Sequence, residues 1–210
     1  MPGADRPDPA RAASTEAETL RRLFERSVAV PRLIALDGDT LTLEYIAGTT
    51  LTEAIEFCES GAPPPGVSSL TAAGEWAANA TGTSAPPLSA TPPILLAEGL
   101  ARLTALWFGA FYAAAPAGAR RGDVNCRNFI LTPAGGLYGV DFESLPAGDK
   151  ETDLGRLTAY ILTYEPPYTI FKKRLSAALT DAFTDMFGAD RGLSLREQAA
   201  ELDAMRLRRR

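Results

Sequence analysis

Three polar residues in the stretch RRGDVNCRNFILTPAGGLYGVDFE, residues 120 to 143, have the types and the spacing to do chemistry together. Asp123 and Asn128 lie five residues apart in a loop that leads into an apolar segment, and Asp141 follows the next apolar segment. The turn sequence PAGG between the two segments predicts a β-hairpin. Because a hairpin brings its two ends together, we expect Asp123, Asn128 and Asp141 to converge.

Such a cluster suits the handling of a polyphosphate. One Asp can orient or deprotonate a hydroxyl group, while an Asn and a second Asp hold Mg²⁺ on the phosphates. This chemistry needs little covalent participation from the protein and depends mainly on positioning and on neutralising charge. The alternative interpretation is a polar turn in which Asn and Asp only cap the backbone.

The composition narrows the possible chemistry. The chain has no histidine, which excludes Ser-His-Asp and Cys-His catalysis and every His-ligated metal site. A catalytic base must then be a carboxylate or a lysine, and a bound metal must be a hard ion such as Mg²⁺. The two cysteines, Cys58 and Cys126, form no CxxC pair, so neither a disulfide scaffold nor a Cys-based zinc site is expected.

Charge and hydropathy bear on partners and location. The net charge of −5 and the pI near 4.9 argue against nucleic acid and anionic membranes as partners. The first 18 residues lack the apolar segment of a signal peptide. Glu98 and Arg102 interrupt the most apolar stretch, which therefore predicts a buried helix and not a membrane span. We expect a cytoplasmic protein.

The periodicity of apolar residues predicts an α+β protein. Residues 1–13 are expected to be disordered, and the Pro-, Gly- and Ser-rich residues 60–93 are expected to form a flexible insertion. The predicted elements, in chain order, are a helix over 14–27, strands RLIAL and TLTLEYI joined by an Asp-Gly-Asp turn, a helix from Thr50 or Thr52, a helix over 93–114, the hairpin, and helices over about 150–164, 168–187 and 194–208.

The segments RGDVNCRN and GVDFE resemble the protein-kinase-like superfamily, in particular its aminoglycoside phosphotransferase, lipopolysaccharide kinase and RIO-like branches. Those families have a loop of the form H-G-D-x-x-x-x-N, an apolar strand, a turn, and a strand that ends in a Mg²⁺-binding Asp. Two differences stand out here. Arg121 replaces the histidine, and Asp-Phe-Glu replaces the Asp-Phe-Gly of protein kinases.

The resemblance implies a role for each of these residues. Asp123 would be the catalytic base, and Asn128 and Asp141 would bind the metal. Asp153 would brace the backbone of the catalytic loop, where Arg121 stands in for the histidine. An alternative interpretation of Asp153 is an ordinary acid in the first turn of a helix.

The upstream sequence LTLEYIAGTTL resembles the hinge between the two lobes of a kinase. Leu43 would lie behind the adenine of ATP, and the Glu44 carbonyl and Ile46 amide would bind its edge. The resemblance implies a mostly helical large lobe over 49–210. It also implies a reduced small lobe and hinge over 14–48, with one helix and two or more antiparallel strands. Mg²⁺ and ATP would be the cofactors.

Two parts of a complete kinase small lobe have no counterpart. There is no G-x-G-x-x-G loop, and the three lysines, Lys150, Lys172 and Lys173, all follow the hairpin. In the family, the strand lysine pairs with an acid of the small-lobe helix, a position that Glu16 or Glu18 could match. Without the lysine that role is empty, and each is more simply a first-turn helix acid. The missing cation could come from Arg21, Arg22 or Arg127, from a partner protein that supplies small-lobe elements, or from residues upstream of Met1.

Two functions therefore stay open from the sequence. The first is a Mg²⁺- and ATP-dependent phosphotransferase that acts on a small molecule or another hydroxyl acceptor. The second is a pseudokinase, a nucleotide-binding or regulatory module without catalysis. The three retained polar residues favour the first, and the absent loop and lysine favour the second.

Overall fold

The computed structural model describes residues 8–60 and 93–208, and this part of the chain is α+β and mostly helical. Its six α-helices are α1 (Pro9–Glu25), α2 (Leu51–Ser60), α3 (Pro93–Ala114), α4 (Lys150–Thr163), α5 (Ile170–Phe187) and α6 (Arg191–Arg208). Its strands are β1 (Leu33–Asp37), β2 (Thr40–Leu43), β3 (Thr49–Thr50), β4 (Phe129–Leu131) and β5 (Leu137–Gly139). The predicted insertion over 60–93 lies, apart from Ser60 and Pro93, outside the described residues.

Helix α1 begins earlier than the sequence analysis predicted. The Asp8 carboxylate accepts a hydrogen bond from the Ala10 amide, and Pro9 occupies the first turn, where no amide donor is needed. The expectation of disorder over residues 1–13 is therefore wrong for 9–13, while residues 1–7 lie outside the described part. Apolar residues three or four positions apart, from Ala13 to Leu23, form the buried face of α1.

Strands β1 and β2 form the predicted hairpin, which is a two-stranded antiparallel sheet of its own. Asp37 pairs with Thr40, so the turn consists of Gly38 and Asp39. Gly38 has a φ of +60°, a backbone conformation that glycine adopts without steric cost. Helix α1 packs against both strands. One helix and one antiparallel hairpin thus stand where a reduced small lobe was expected.

The second predicted hairpin is also confirmed, because β4 and β5 pair antiparallel with Phe129 opposite Gly139. The short strand β3, which was not predicted, pairs with the other edge of β4 and completes a three-stranded sheet. Gly48, just before β3, lies directly against the Leu131 carbonyl, where a side chain would collide with the hairpin. Only a glycine therefore allows the chain to enter this sheet.

The helices start where polar side chains can bond their free amides. Thr50 and Glu53 form a reciprocal capping pair at the start of α2, with the Thr50 amide 2.7 Å from Glu53 Oε2. Thr169 caps α5. The Asp190 carboxylate bonds the Leu193 amide, so α6 begins at Arg191, three residues before its predicted start.

Aromatic residues join the hairpin to the helices in one hydrophobic core. Trp107 of α3 is central to it: its ring stacks on Phe111 and meets Phe129 of β4 edge-on, at centroid distances of 5.6 and 5.1 Å. Gly139 of β5 lies against the Trp107 ring, where a methyl group would collide. The core thus fixes the hairpin from behind and leaves its two ends to carry polar residues.

The apolar stretch with Glu98 and Arg102 lies within helix α3, as predicted. Of the residues that the structure describes, none belong to a helix with both the length and the hydrophobicity needed to span a bilayer.

Candidate phosphoryl-transfer site

Asp153, near the start of α4, fixes the backbone of the loop that carries Asp123. Its Oδ2 accepts a hydrogen bond of 2.7 Å from the Arg121 amide, and its Oδ1 accepts one of 3.0 Å from the Gly122 amide. The Tyr112 hydroxyl also donates to Oδ2, at 3.1 Å. Asp153 therefore makes the backbone contact that the sequence analysis expected.

Asp153 is fully buried, and this burial raises its pKa. The two loop amides, the Tyr112 hydroxyl and the guanidinium of Arg120, 3.8 Å away, favour the ionised form and oppose that shift. Burial and the neighbouring carboxylate also raise the pKa of Tyr112. A carboxylate with this many donors is an anchor of the loop and more than a first-turn helix acid.

Asp123 is exposed, and its own side chain shapes the loop. Its Oδ1 accepts a hydrogen bond of 3.0 Å from the Asn125 amide. Asn125 repeats the arrangement with the Arg127 amide at 3.0 Å, and its Oδ1 also accepts a hydrogen bond of 2.7 Å from the Tyr164 hydroxyl. These local side-chain bonds replace regular structure in the loop. They hold Asp123 at the surface beside the hairpin.

Asn128 and Asp141 lie at the paired ends of the hairpin. The Val140 amide donates to the Asn128 carbonyl at 2.9 Å, so Asp141 is one residue beyond the partner of Asn128. The prediction that Asp141 ends strand β5 is wrong. Asp141 follows the strand by two residues and has a φ of +64°. Aspartate is among the few residues that adopt this conformation with some frequency. The turn directs the chain away from the sheet just at the exposed carboxylate.

Arg121 is the centre of the charge in this region. Burial lowers the pKa of its guanidinium to about 10, and four nearby carboxylates oppose the shift: those of Asp123, Asp141, Asp153 and Glu16. The guanidinium donates to the Val140 carbonyl and stacks 4.1 Å above the Phe142 ring. Arg121 thus fills the histidine position as a buried cation, and the predicted base and one predicted metal ligand lie close to it.

Glu16 reaches the same segment from helix α1. Its Oε1 accepts a hydrogen bond of 2.9 Å from the Phe142 amide, across 126 residues of sequence. The peptide groups on both sides of Asp141 are therefore held by side chains, one by Arg121 and the other by Glu16. The interpretation of Glu16 and Glu18 as first-turn helix acids is wrong, because α1 begins at Pro9 and has no acid in its first turn. Nothing local to α1 distinguishes the two.

The residues predicted to form the hinge lie at the end of β2 and just after it. Leu43 is half-buried at the end of β2 and packs against the core. The Glu44 amide donates to the Arg32 carbonyl at 2.9 Å, and the Glu44 carboxylate accepts from the Arg32 amide at 3.2 Å. In the described chain, the Glu44 carbonyl and the Ile46 amide have no backbone partner. Both groups are thus free to bind a ligand, but their roles stay predictions.

Asn128 and Asp141 are suited to a hard metal ion but do not make a complete site. No three His, Cys, Asp or Glu side chains within residues 8–60 and 93–208 are grouped so that they could hold a metal. Asn128 Nδ2 is buried without a hydrogen-bond partner, and Asp141 is exposed. One amide and one carboxylate match the way Mg²⁺ binds, with few protein oxygens and with phosphate and water as further ligands.

A cavity of about 520 Å³, called the loop cavity here, opens beside the loop that carries Asp123. Its lining includes Glu56, Asn125, Arg127, Tyr160, Tyr164 and Glu165. The Asn125 amide donates to Asp123 Oδ1 at 3.0 Å, so Asp123 is directly bonded to a residue of this lining. The size is within the range of small-molecule sites.

Comparison with known proteins does not assign the chain to a family. The chain matches no protein-family model, and no curated protein matches its sequence. The functional argument therefore depends on the geometry of the cluster and on the resemblance of its motifs.

Proposed function

We propose that this protein has a kinase-like fold and is a Mg²⁺- and ATP-dependent phosphotransferase with a hydroxyl acceptor. The observation that supports it most is the position of Asn128 and Asp141 at the paired end of a hairpin that follows the loop of Asp123, with buried charges as supports of both. A buried Arg121 and a buried Asp153 are costly to keep unless they hold something in place. Here they hold the loop and the turn that present two exposed carboxylates.

The roles follow from the positions. Asp123 takes the proton of the acceptor hydroxyl as the hydroxyl oxygen bonds to the γ-phosphorus of ATP. The bond from that phosphorus to the β,γ-bridging oxygen breaks, giving ADP and a phosphate monoester. Asn128 and Asp141 hold Mg²⁺, which when bound neutralises charge on the phosphates. Leu43, the Glu44 carbonyl and the Ile46 amide bind the adenine.

Arg127 is the best placed of the three arginines considered as the phosphate cation. It lies in the loop between Asp123 and Asn128 and, within the described residues, its side chain has no hydrogen bond or ion pair. Arg22 is about 200° around helix α1 from the buried Leu20, so it points away from the core. Arg127→Met should weaken Mg²⁺–ATP binding about tenfold, Arg127→Lys should restore part of it, and Arg22→Met should have no effect. Equal losses in Arg127→Met and Arg22→Met would exclude this role.

The second candidate, a nucleotide-binding module without catalysis, is favoured by the position of the lysines. Lys172 is fully buried and pairs with Glu59 at 3.1 Å, and Lys150 pairs with Glu151 at 3.5 Å. Lys173 is exposed on α5, and among the described residues no ion pair joins any of the three to Asp123 or Asp141. A site without the family's phosphate lysine could bind nucleotide and still be inactive.

One experiment separates the two functions. ATP is titrated into the protein with and without Mg²⁺, and transfer of labelled γ-phosphate to a panel of hydroxyl compounds and to water is then measured. Mg²⁺-dependent binding with transfer supports the phosphotransferase. Binding without any transfer supports the inactive module, and no binding in either condition contradicts both.

A further inference from the structure

The loop cavity adjoins a second cavity, and the two share the side chains of Glu56 and Glu165. The second cavity, called the apolar cavity here, measures about 820 Å³ and lies between the end of α2 and the start of α5. Its walls include Cys58, Pro166, Ile170 and Phe171. Glu56 and Glu165 thus stand at the boundary between the loop cavity and a cavity with apolar walls.

The boundary between the cavities carries negative charge. Glu56 and Glu165 are both exposed, and neither has a hydrogen bond or an ion pair with any described residue. Glu59, which also lines the apolar cavity, is already neutralised by Lys172 and bonded by Thr169. Two carboxylates without partners at the same place favour a cation between them.

The aromatic residues beside this boundary favour the same ligand group. The rings of Tyr160 and Tyr164 lie within 24° of parallel, with centroids 6.5 Å apart, and both line the loop cavity. Aromatic faces next to carboxylates are a common environment for an ammonium group. Two tyrosines and two glutamates thus line the loop cavity together.

Three arginines also line these cavities, and none of them borders both. Arg208 is engaged by Glu201, and Arg127 lies at the loop end, where the phosphates are proposed to bind. Arg174 lines the apolar cavity, one helical turn beyond Ile170 along α5. Glu56 and Glu165 are therefore the charged side chains that a ligand would meet in passing from one cavity to the other.

The apolar end also has a surface that a ligand could cover. Ile170 is 71 % exposed, whereas the next residue, Phe171, which lines the same cavity, is buried. Covering such a side chain stabilises a complex in proportion to the apolar area removed from water. An alkyl chain of a few carbons would do this.

We infer that the joined cavities bind an amphiphilic amino alcohol, in which a protonated amine stands between a hydroxyl group and an apolar chain. One part of this inference rests on the proposed function, namely that the hydroxyl at the Asp123 end is the phosphoryl acceptor. The amine lies between Glu56 and Glu165, and the chain lies against Ile170.

The test uses three probes at pH 7: 2-aminohexan-1-ol, hexan-1-ol, which lacks the amine, and 2-aminoethanol, which lacks the chain. Calorimetric titration of the full chain should show that 2-aminohexan-1-ol binds about tenfold more tightly than either of the others. Equal binding of hexan-1-ol and 2-aminohexan-1-ol would overturn the inference.

Two sets of variants assign the groups. Glu56→Gln with Glu165→Gln should weaken binding of 2-aminohexan-1-ol about tenfold. The control Glu25→Gln with Glu98→Gln removes the same charge from exposed helix positions and should leave it unchanged. Ile170→Ser should remove the advantage over 2-aminoethanol, and Leu195→Ser, at another exposed aliphatic residue, should not. Equal effects in variants and controls would contradict the assignment.

Binding and transfer are read separately, so the two proposals can fail independently. If phosphoryl transfer to neutral alcohols is as fast as transfer to amino alcohols, the result supports the phosphotransferase and contradicts this inference. If the expected binding pattern is found without any transfer, the result supports the amine site and contradicts the phosphotransferase.

Discussion

Asp123 is, with Asp141, one of two exposed carboxylates beside the buried Arg121 and Asp153. Arg121 and Asp153 hold the loop from below, and the bonds from Asp123 to Asn125 and from Asn125 to Tyr164 hold it from the side. The carboxylate of Asp123 therefore has a fixed position and free access to a ligand. Both properties are what a catalytic base requires.

Replacing Asp123 should affect turnover and leave nucleotide binding intact. A positioned base contributes about 10²–10⁴-fold to the rate, and it makes little contact with ATP. Asp123→Ala should lower turnover by that factor with nearly unchanged ATP affinity, the pattern of an interaction made in the transition state. Asp149→Ala is a matched control, because this exposed aspartate makes no capping bond. Unchanged turnover in Asp123→Ala would remove the catalytic assignment.

Replacing Asp141 should reveal the metal. Asp141→Asn keeps the shape of the side chain and its tolerance for a positive φ but removes the negative charge that a hard cation prefers. Affinity for ATP measured with Mg²⁺ should fall more than affinity measured without it. Equal losses under both conditions would mean that Asp141 is not a metal ligand.

Among the elements, helix α1 and the β4–β5 hairpin depend on each other although they are far apart in sequence. The bond between Glu16 and the Phe142 amide is the contact that joins α1 to the turn at Asp141. Movement of α1 would therefore release one of the two peptide groups that flank Asp141. Helix α1, in the segment predicted to be a reduced small lobe, thus bears directly on the geometry of the proposed metal ligand.

Glu16→Ala should show this dependence. Loss of a charged hydrogen bond at a half-buried position should lower the free energy of unfolding by about 1–2 kcal/mol. It should also weaken Mg²⁺–ATP binding, because the Asp141 turn loses a support. Glu18→Ala, at an exposed position on the same helix, should change stability by less than about 0.5 kcal/mol. Denaturant unfolding and ATP titration measure the two effects, and equal behaviour of both variants would contradict the role of Glu16.

The sequence predicted the elements that have local signals. Both hairpins follow from turn residues between apolar segments, and the helices follow from apolar periodicity. Strand β3 has only two residues and no such signal, because it exists through pairing with Ile130 and Leu131, some 80 residues away. The start of α1 was within reach, since an Asp-Pro pair is a recognised helix start.

The candidate site divides in the same way. Asp123, Asn128 and Asp141 could be found because the hairpin that joins them is local. The contact of Glu16 with Phe142 could not, because only packing of α1 on the core decides which helix acid faces the hairpin. The turn of Asp141 out of the strand was also missed, since alternation of apolar residues continues through Val140 and Phe142.

In the whole molecule, Lys172 connects parts of the chain that are far apart in sequence. Its ammonium group donates to the carbonyls of Tyr164 and Pro166, at 3.1 and 2.7 Å, and pairs with Glu59 at the end of α2. Helix α2, the α4–α5 connection and α5 are thereby tied at one buried point. This connection also forms one wall of both cavities.

Lys172→Met should destabilise the whole fold. The substitution keeps most of the volume but leaves Glu59 and two carbonyls without their cation. Breaking a buried ion pair in this way costs about 3–5 kcal/mol. The neighbouring Lys173→Met, at an exposed position, should change the free energy of unfolding by less than about 0.5 kcal/mol. Denaturant titration of the two variants provides the measurement, and similar midpoints would show that the buried pair contributes little.

The Ala29 carbonyl accepts hydrogen bonds from Trp107 Nε1 at 2.9 Å and from the Gly139 amide at 3.0 Å, so one atom joins the segment after α1, helix α3 and strand β5. The indole of Trp107 is buried there against Gly139, which is two residues before Asp141. Fluorescence from this ring should be blue-shifted and should respond to any change in that junction. With Trp76 replaced by phenylalanine, Trp107 is the sole indole emitter in the chain. Its emission spectrum would then give an optical signal for ligand binding at the hairpin, with no added dye.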